Sequence, residues 1–132
     1  MSTAEKTMRA ATTVAADRLP PQANEAEVAV LGAMLLDQSA IGVASELLDG
    51  SSFHREAHRK MFRAMIDLFS RDEAVDLVTL TQELKRTKEL DDVGGAAYLS
   101  EILGSVATAA NIRYHAKIVL EKAVLRRLIG VA

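Results

Sequence analysis

The stretch TAANIRYHAKIVLEKAVLRRLIGVA, residues 108–132, reads as one long helix with two separate apolar faces. At about 100° per residue, Ile112, Ala116, Val119, Leu120, Ala123 and Val124 fall on one stripe. Tyr114, Ile118, Leu125 and Ile129 fall on a second, at spacings close to a heptad. Arg113, Lys117, Lys122 and Arg126 lie between the stripes, against a lone Glu121. One stripe packs on the domain before it. The other has no obvious partner in the chain and points toward a further segment or another subunit, so the end at Ala132 is expected to fall within a longer protein.

The rest of the sequence sets the frame for that helix. A length of 132 residues suits one domain with a single core and is too short for a nucleotide-hydrolysing domain plus anything else. Ala, Val, Leu and Ile are abundant, whereas Gly (7) and Pro (2) are few, which favours helices over a turn-rich β-sandwich. The expected fold is all-α. With no cysteine there are no disulfides and no thiolate metal sites, in keeping with a reducing cytoplasm. No apolar run approaches the roughly 20 residues that cross a bilayer, and the first residues lack the apolar segment of a signal peptide. A soluble intracellular protein with no membrane partner is expected. A net charge of -2 provides no general attraction to nucleic acid, so any such binding would need a local patch, and the last helix holds the only candidate.

Along the chain, residues 1–18 are Ala/Thr-rich with no apolar stripe and read as a mobile tail. Leu19-Pro20-Pro21-Gln22 then breaks the backbone. The globular part is expected over 19–107 and the long helix over 108–132. Asn24 with Glu27 has the form of a capping box for a helix to about Leu36. Its Val28, Val30, Leu31, Met34, Leu35 and Leu36 surround the axis, and Gly32 would let a neighbour come close. A short helix follows over 40–48, capped by Ser39 and closed by Gly50 in the left-handed conformation. From Arg55 to Ser70, Ala57, Met61, Met65, Leu68 and Phe69 form an apolar face and Arg59, Lys60, Arg63 and Asp67 a wet one. Thr79 with Gln82 makes a second capping box. Asp91-Asp92-Val93-Gly94-Gly95 turns into a helix over 96–103, and Thr108 caps the last helix. The expected architecture is a compact domain of about six helices followed by the long last helix.

Signals for chemistry are weak. His54 and His58 stand four apart with Glu56 between them, but the zinc-protease patterns need a glutamate beside a histidine, not midway. His58 falls on the apolar face of its helix, where a hydrogen-bonded structural histidine is the ordinary outcome. No glycine precedes a lysine, so there is no phosphate loop, and Gly94-Gly95 reads as a helix-entry turn. There is no cysteine nucleophile and no Gly-x-Ser-x-Gly elbow. No catalytic residue, cofactor or metal site is read from this chain. The lysines and arginines of the last helix read first as a solvated face that complements the helix terminus, and second as a phosphate contact. Tyr98 and the second stripe read differently, because exposed apolar area is costly and favours burial by a partner.

Several runs occur in a distinctive order: Leu19-Pro20-Pro21-Gln22, Glu25-Ala26-Glu27, Val30-Leu31-Gly32, Leu35-Leu36-Asp37, then Phe53, His58 and Phe62. Val75 to Leu80, Glu83-Leu84, Gly94-Gly95, Ala97-Tyr98-Leu99 and Thr108 to Ile129 follow. In order and spacing they resemble the N-terminal domain of the bacterial replicative DNA helicase, the DnaB family, over everything after the tail. Two features depart from the family pattern: Ala107 stands where a proline is usual, and His54 and Glu56 replace an aromatic residue and a proline.

The resemblance implies a helical collar on a hexameric ring, pairing through a hairpin whose first arm is the last helix and docking the C-terminal domain of primase. It implies self-association, contact with a helicase loader, and DNA reached through the ring of the whole protein. ATP and Mg would belong to that protein's motor domain, in the bacterial cytoplasm at the replicating nucleoid. On this assembly and docking reading the contact residues are Tyr98, Ile112, Ile118, Leu125, Ile129, Arg126 and Arg127. The alternative is a basic helical module touching single-stranded or forked DNA directly.

Overall fold

Six α-helices and one 3-10 turn carry the chain from Pro21 to Leu128, and the residues described by this computed structural model, 21–130, contain no strand. The tail expected over 1–18 lies outside the described residues, as do Leu19, Pro20, Val131 and Ala132. The helices are α1 (Pro21–Leu36), α2 (Gln38–Leu47), α3 (Glu56–Ser70), α4 (Leu77–Arg86), α5 (Gly95–Gly104) and α6 (Ile112–Leu128), with the 3-10 turn at Gly50–Ser52. The long last helix is one of the six. It is also shorter than the expected 108–132.

α1 is the axis of the domain. Ala26, Val30, Leu31, Ala33, Met34 and Leu35 are buried on several sides of it, and it packs against α2, α3, α5 and α6. A helix apolar around its circumference belongs inside other helices. Gly32 makes the closest approach: a Cβ there would meet the Val106 methyls at 2.8 Å and the Ile102 carbonyl oxygen at 2.9 Å. The segment after α5 therefore lies directly on the α1 backbone.

Two helix starts differ from expectation because an aspartate upstream wins the capping contact. Asp37, not Ser39, caps α2, its Oδ1 accepting from the Ser39 N–H at 2.9 Å. Asp76 caps α4 in a reciprocal box with Thr79, so Thr79 is the third helical residue rather than the cap, and no box with Gln82 forms. Thr108 does not cap α6 but accepts from the Ala110 N–H in the turn ahead of it, and Asn111 precedes the helix without a side-chain cap. α1 begins at Pro21, a position suited to proline, so Asn24 and Glu27 are interior residues and their expected capping box is absent. Leu48 ends α2, and Gly50 opens the 3-10 turn instead of closing a helix. At Gly94, φ is +104°, and that left-handed residue turns the chain into α5 as the glycine pair suggested.

On α3 the buried face is His58, Met61, Phe62, Ala64, Met65 and Leu68. Phe69, placed on that face from its sequence, is instead exposed at the helix end, and Phe62 takes the aromatic position, 5.0 Å between ring centroids from Phe53. α4 is fixed by Glu83, whose buried carboxylate accepts from Arg86 Nε (3.0 Å) and Nη2 (2.8 Å) and from Arg71 Nη2 (3.1 Å).

Two outcomes follow from this packing. Gly32→Ala should lower unfolding stability by about 1–3 kcal/mol in urea, because the α1 backbone and the Ile102 carbonyl must separate; an unchanged midpoint would contradict the close approach. The Arg86 and Arg71 guanidiniums hold the Glu83 carboxyl down at about 2 against an ordinary 4.5. A depressed carboxyl stabilises fully above its unfolded pKa, and that contribution is lost as pH falls through the folded one. Melting temperature should therefore decline between about pH 4.5 and 2, and Glu83→Gln should flatten the decline in that window.

Candidate interaction surface

α6 is two-sided, as its pattern implied, but the faces are not divided as expected. Ile112, Ala116, Val119 and Ala123 are buried against the domain. Ile112 thus belongs to the core, at 8% exposure, and its place among the contact residues is corrected: its side chain is spent on internal packing. Val124, assigned to the inner stripe, lies outward at 40% exposure. Ile118 is half-buried against the core and forms the edge of the outer face. Tyr114, Leu125, Leu128 and Ile129 are the exposed members, with Leu128 and Ile129 more than two-thirds exposed. Leu128 was missed from sequence although it stands three residues from Leu125, a spacing that places both on one face.

Tyr98 is not a free aromatic. Half-buried at the start of α5, it bonds through its hydroxyl to Nε2 of His58 at 2.7 Å, with the two rings edge to edge and 8° from parallel. His58 is fully buried, and its Nδ1 lies 2.7 Å from Glu27 Oε1. The second oxygen of Glu27 accepts from the backbone N–H of His54 at 2.7 Å. A carboxylate only accepts, so Nδ1 donates to it, and with the imidazole neutral the Tyr98 hydroxyl donates to Nε2. Burial pushes the Tyr98 phenol above its ordinary pKa, which keeps that proton in place. Both ring nitrogens of His58 are thereby occupied, leaving none for a metal shared with His54. Among the described residues no group of His, Cys, Asp or Glu is placed to hold a metal ion. The part played by Glu27 was hidden from sequence by its separation from His58, which no local spacing reveals.

The basic residues of α6 separate into two sets. Arg113 and Lys117 are exposed near its start. Arg126 and Arg127 turn back to the 3-10 turn, where Arg126 Nη2 donates to the Ser52 carbonyl (3.0 Å) and Arg127 Nη2 to the Ser51 hydroxyl (3.1 Å). Burial draws the Arg126 pKa below its usual value, with Arg127 and Arg59 adding to the shift.

The fold is thus a small all-α domain whose polar interior is structural and whose last helix leaves one apolar face uncovered. Residues 19–121 match the DnaB-like helicase N terminal domain family, and the chain belongs to that family. It is 53% identical over 116 residues to the replicative DNA helicase DnaB of Geobacillus stearothermophilus and 57% identical over 116 residues to the replicative DNA helicase DnaC of Bacillus subtilis (strain 168). Each match covers 88% of this chain and 26% of the relative, so the chain spans about a quarter of the length of the curated relatives it matches. Among solved structures, the N-terminal domain of DnaB helicase from Mycobacterium tuberculosis superposes with a TM-score of 0.77 at 47% identity, covering 79% of this chain and 75% of that one. A DnaB-like replicative helicase, described with its interactions with primase, superposes with a TM-score of 0.69 at 29% identity, over 80% of this chain and 25% of that one. Among the described residues no helix is long and apolar enough to cross a membrane.

The buried chain of bonds has a direct test. In Glu27→Gln the amide NH2 either faces a buried N–H and leaves a donor unpaired, or forces His58 to shift its proton to Nε2 and reverse the bond to Tyr98. Stability should fall by about 1–3 kcal/mol in denaturant unfolding, and a loss near zero would show that the carboxylate is dispensable.

Proposed function

We propose that the chain acts in DNA replication as the collar domain of a hexameric replicative helicase, mediating ring assembly and docking the C-terminal domain of primase. The observation that carries this reading is the outer face of α6, where Leu125, Leu128 and Ile129 lie exposed beside the half-buried Ile118. Covering apolar area is worth about 25 cal/mol per Å², so such a strip favours a second helix or another subunit over water. Family membership and the primase interactions described for one structural neighbour support the same reading. Tyr98 would contribute only the part of its ring that the His58 bond leaves open. ATP and Mg would act in the motor domain of the whole protein, in the bacterial cytoplasm, and a helicase loader and DNA would be met through the assembled ring.

The test uses this chain and a longer piece of the same protein that extends past Ala132. One or both should bind the primase C-terminal domain of the same organism at micromolar concentration by calorimetry. Leu125→Asp combined with Ile129→Asp should abolish self-association or primase binding while leaving the helical circular dichroism and melting temperature near the parent values, since neither side chain is in the core. Failure of both pieces to bind primase would end the docking proposal.

A further inference from the structure

Beside the outer face of α6 lies a cleft of about 420 Å³, bounded by the 3-10 turn, the entry to α3 and the end of α6. Arg59, Arg126 and Arg127 line it together with His54, and no carboxylate does. Neutral oxygens hold the three guanidiniums: Arg59 Nη1 donates to the Phe53 and His54 carbonyls (3.2 and 2.8 Å), Arg126 to the Ser52 carbonyl and Arg127 to the Ser51 hydroxyl. None of the three makes an ion pair within 4.0 Å among the described residues, whereas Lys60, Arg71 and Arg86 all do. The two nearby carboxylates are committed elsewhere, Glu27 to His58 and the His54 N–H, and Asp49 to Ser51. Arg126 Nη1 is shut off from solvent and has no acceptor among the described residues.

Three like charges converge there with no carboxylate within ion-pair distance, Glu27 and Asp49 acting on Arg126 and Arg127 only from farther off, so the guanidiniums are under-compensated and repel one another. An anion in the cleft offsets that repulsion. A planar carboxylate matches a single guanidinium fork, whereas a tetrahedral oxyanion offers oxygens to forks arriving from separate elements, here α3 and α6. The cleft is also larger than one phosphate, leaving room for the group that carries it. We propose that this cleft binds a phosphate group, borne either on a small phosphorylated molecule or on a nucleic-acid strand. The proposal stands apart from the assembly reading, because it concerns the side of α6 that faces the 3-10 turn rather than the outer strip.

The probe is sodium pyrophosphate, titrated into the 15N-labelled chain at constant ionic strength. The backbone amides of Ser51, Ser52 and Phe53 should shift saturably, and Arg126→Gln should weaken the affinity about tenfold or more. Arg127→Gln, which lacks the buried bond of Arg126, should also weaken it and covers the case in which R126Q fails to fold. Arg113→Gln should leave it unchanged. A short oligothymidylate shifting the same amides, more strongly at low salt, assigns the phosphate to nucleic acid. Response to pyrophosphate alone assigns it to a small molecule, and either result supports the site. Shifts no larger than those of sodium chloride, equal binding of succinate, or native affinity in folded R126Q and R127Q would overturn it.

Discussion

The Glu27 carboxylate sits in the middle of α1 at 1% exposure, where an isolated charge would cost several kcal/mol. It is tolerated because two donors reach it, the His54 backbone N–H and His58 Nδ1, both from the entry to α3. Neither donor can shift without leaving a buried oxygen unpaired, so the register between α1 and α3 is fixed more tightly than apolar packing alone would fix it. His58 passes the constraint on to α5 through Tyr98. Three helices from distant parts of the sequence are thereby held by one connected set of polar atoms.

The same backbone segment serves the other side of the molecule. Residues 52–54 give an N–H inward to Glu27 and turn their carbonyls outward to Arg59 and Arg126. The placement of the guanidiniums around the cleft therefore depends on a carboxylate that does not line it. This coupling runs through main-chain atoms of a short turn, and it accounts for how long, flexible side chains on α3 and α6 come to share one cleft.

Period and composition made the helices legible in the sequence, because their apolar residues repeat every three to four positions regardless of what they pack on. The central position of α1 and the close approach at Gly32 were legible for the same reason. Helix starts were not: several polar residues near each one compete for the cap, and Asp37 and Asp76 win by a margin that local spacing does not contain. Glu27 shows the limit most clearly. Three residues after Asn24 it has the form of a capping partner, yet its actual partner lies 31 residues away, and only the fold brings His58 to it. Ile112 differs for a related reason, since its stripe indicated the core while the assembly reading took it as a contact.

α6 inverts the usual size order of an amphipathic helix. Toward the domain it presents Ala116, Val119 and Ala123, which let its axis come close to α1; outward it presents Val124, Leu125, Leu128 and Ile129. A helix that ended its packing at this domain would gain most by turning its largest apolar residues inward, where each fully buried leucine or isoleucine is worth about 1.5–3 kcal/mol. Small residues inside and large ones outside instead bring the helix close to α1 and leave its long apolar side chains exposed. Such an arrangement is stable in a monomer only because the inner face, with Ile112 added, already secures the helix. The outer face is then not needed to hold the helix on the domain.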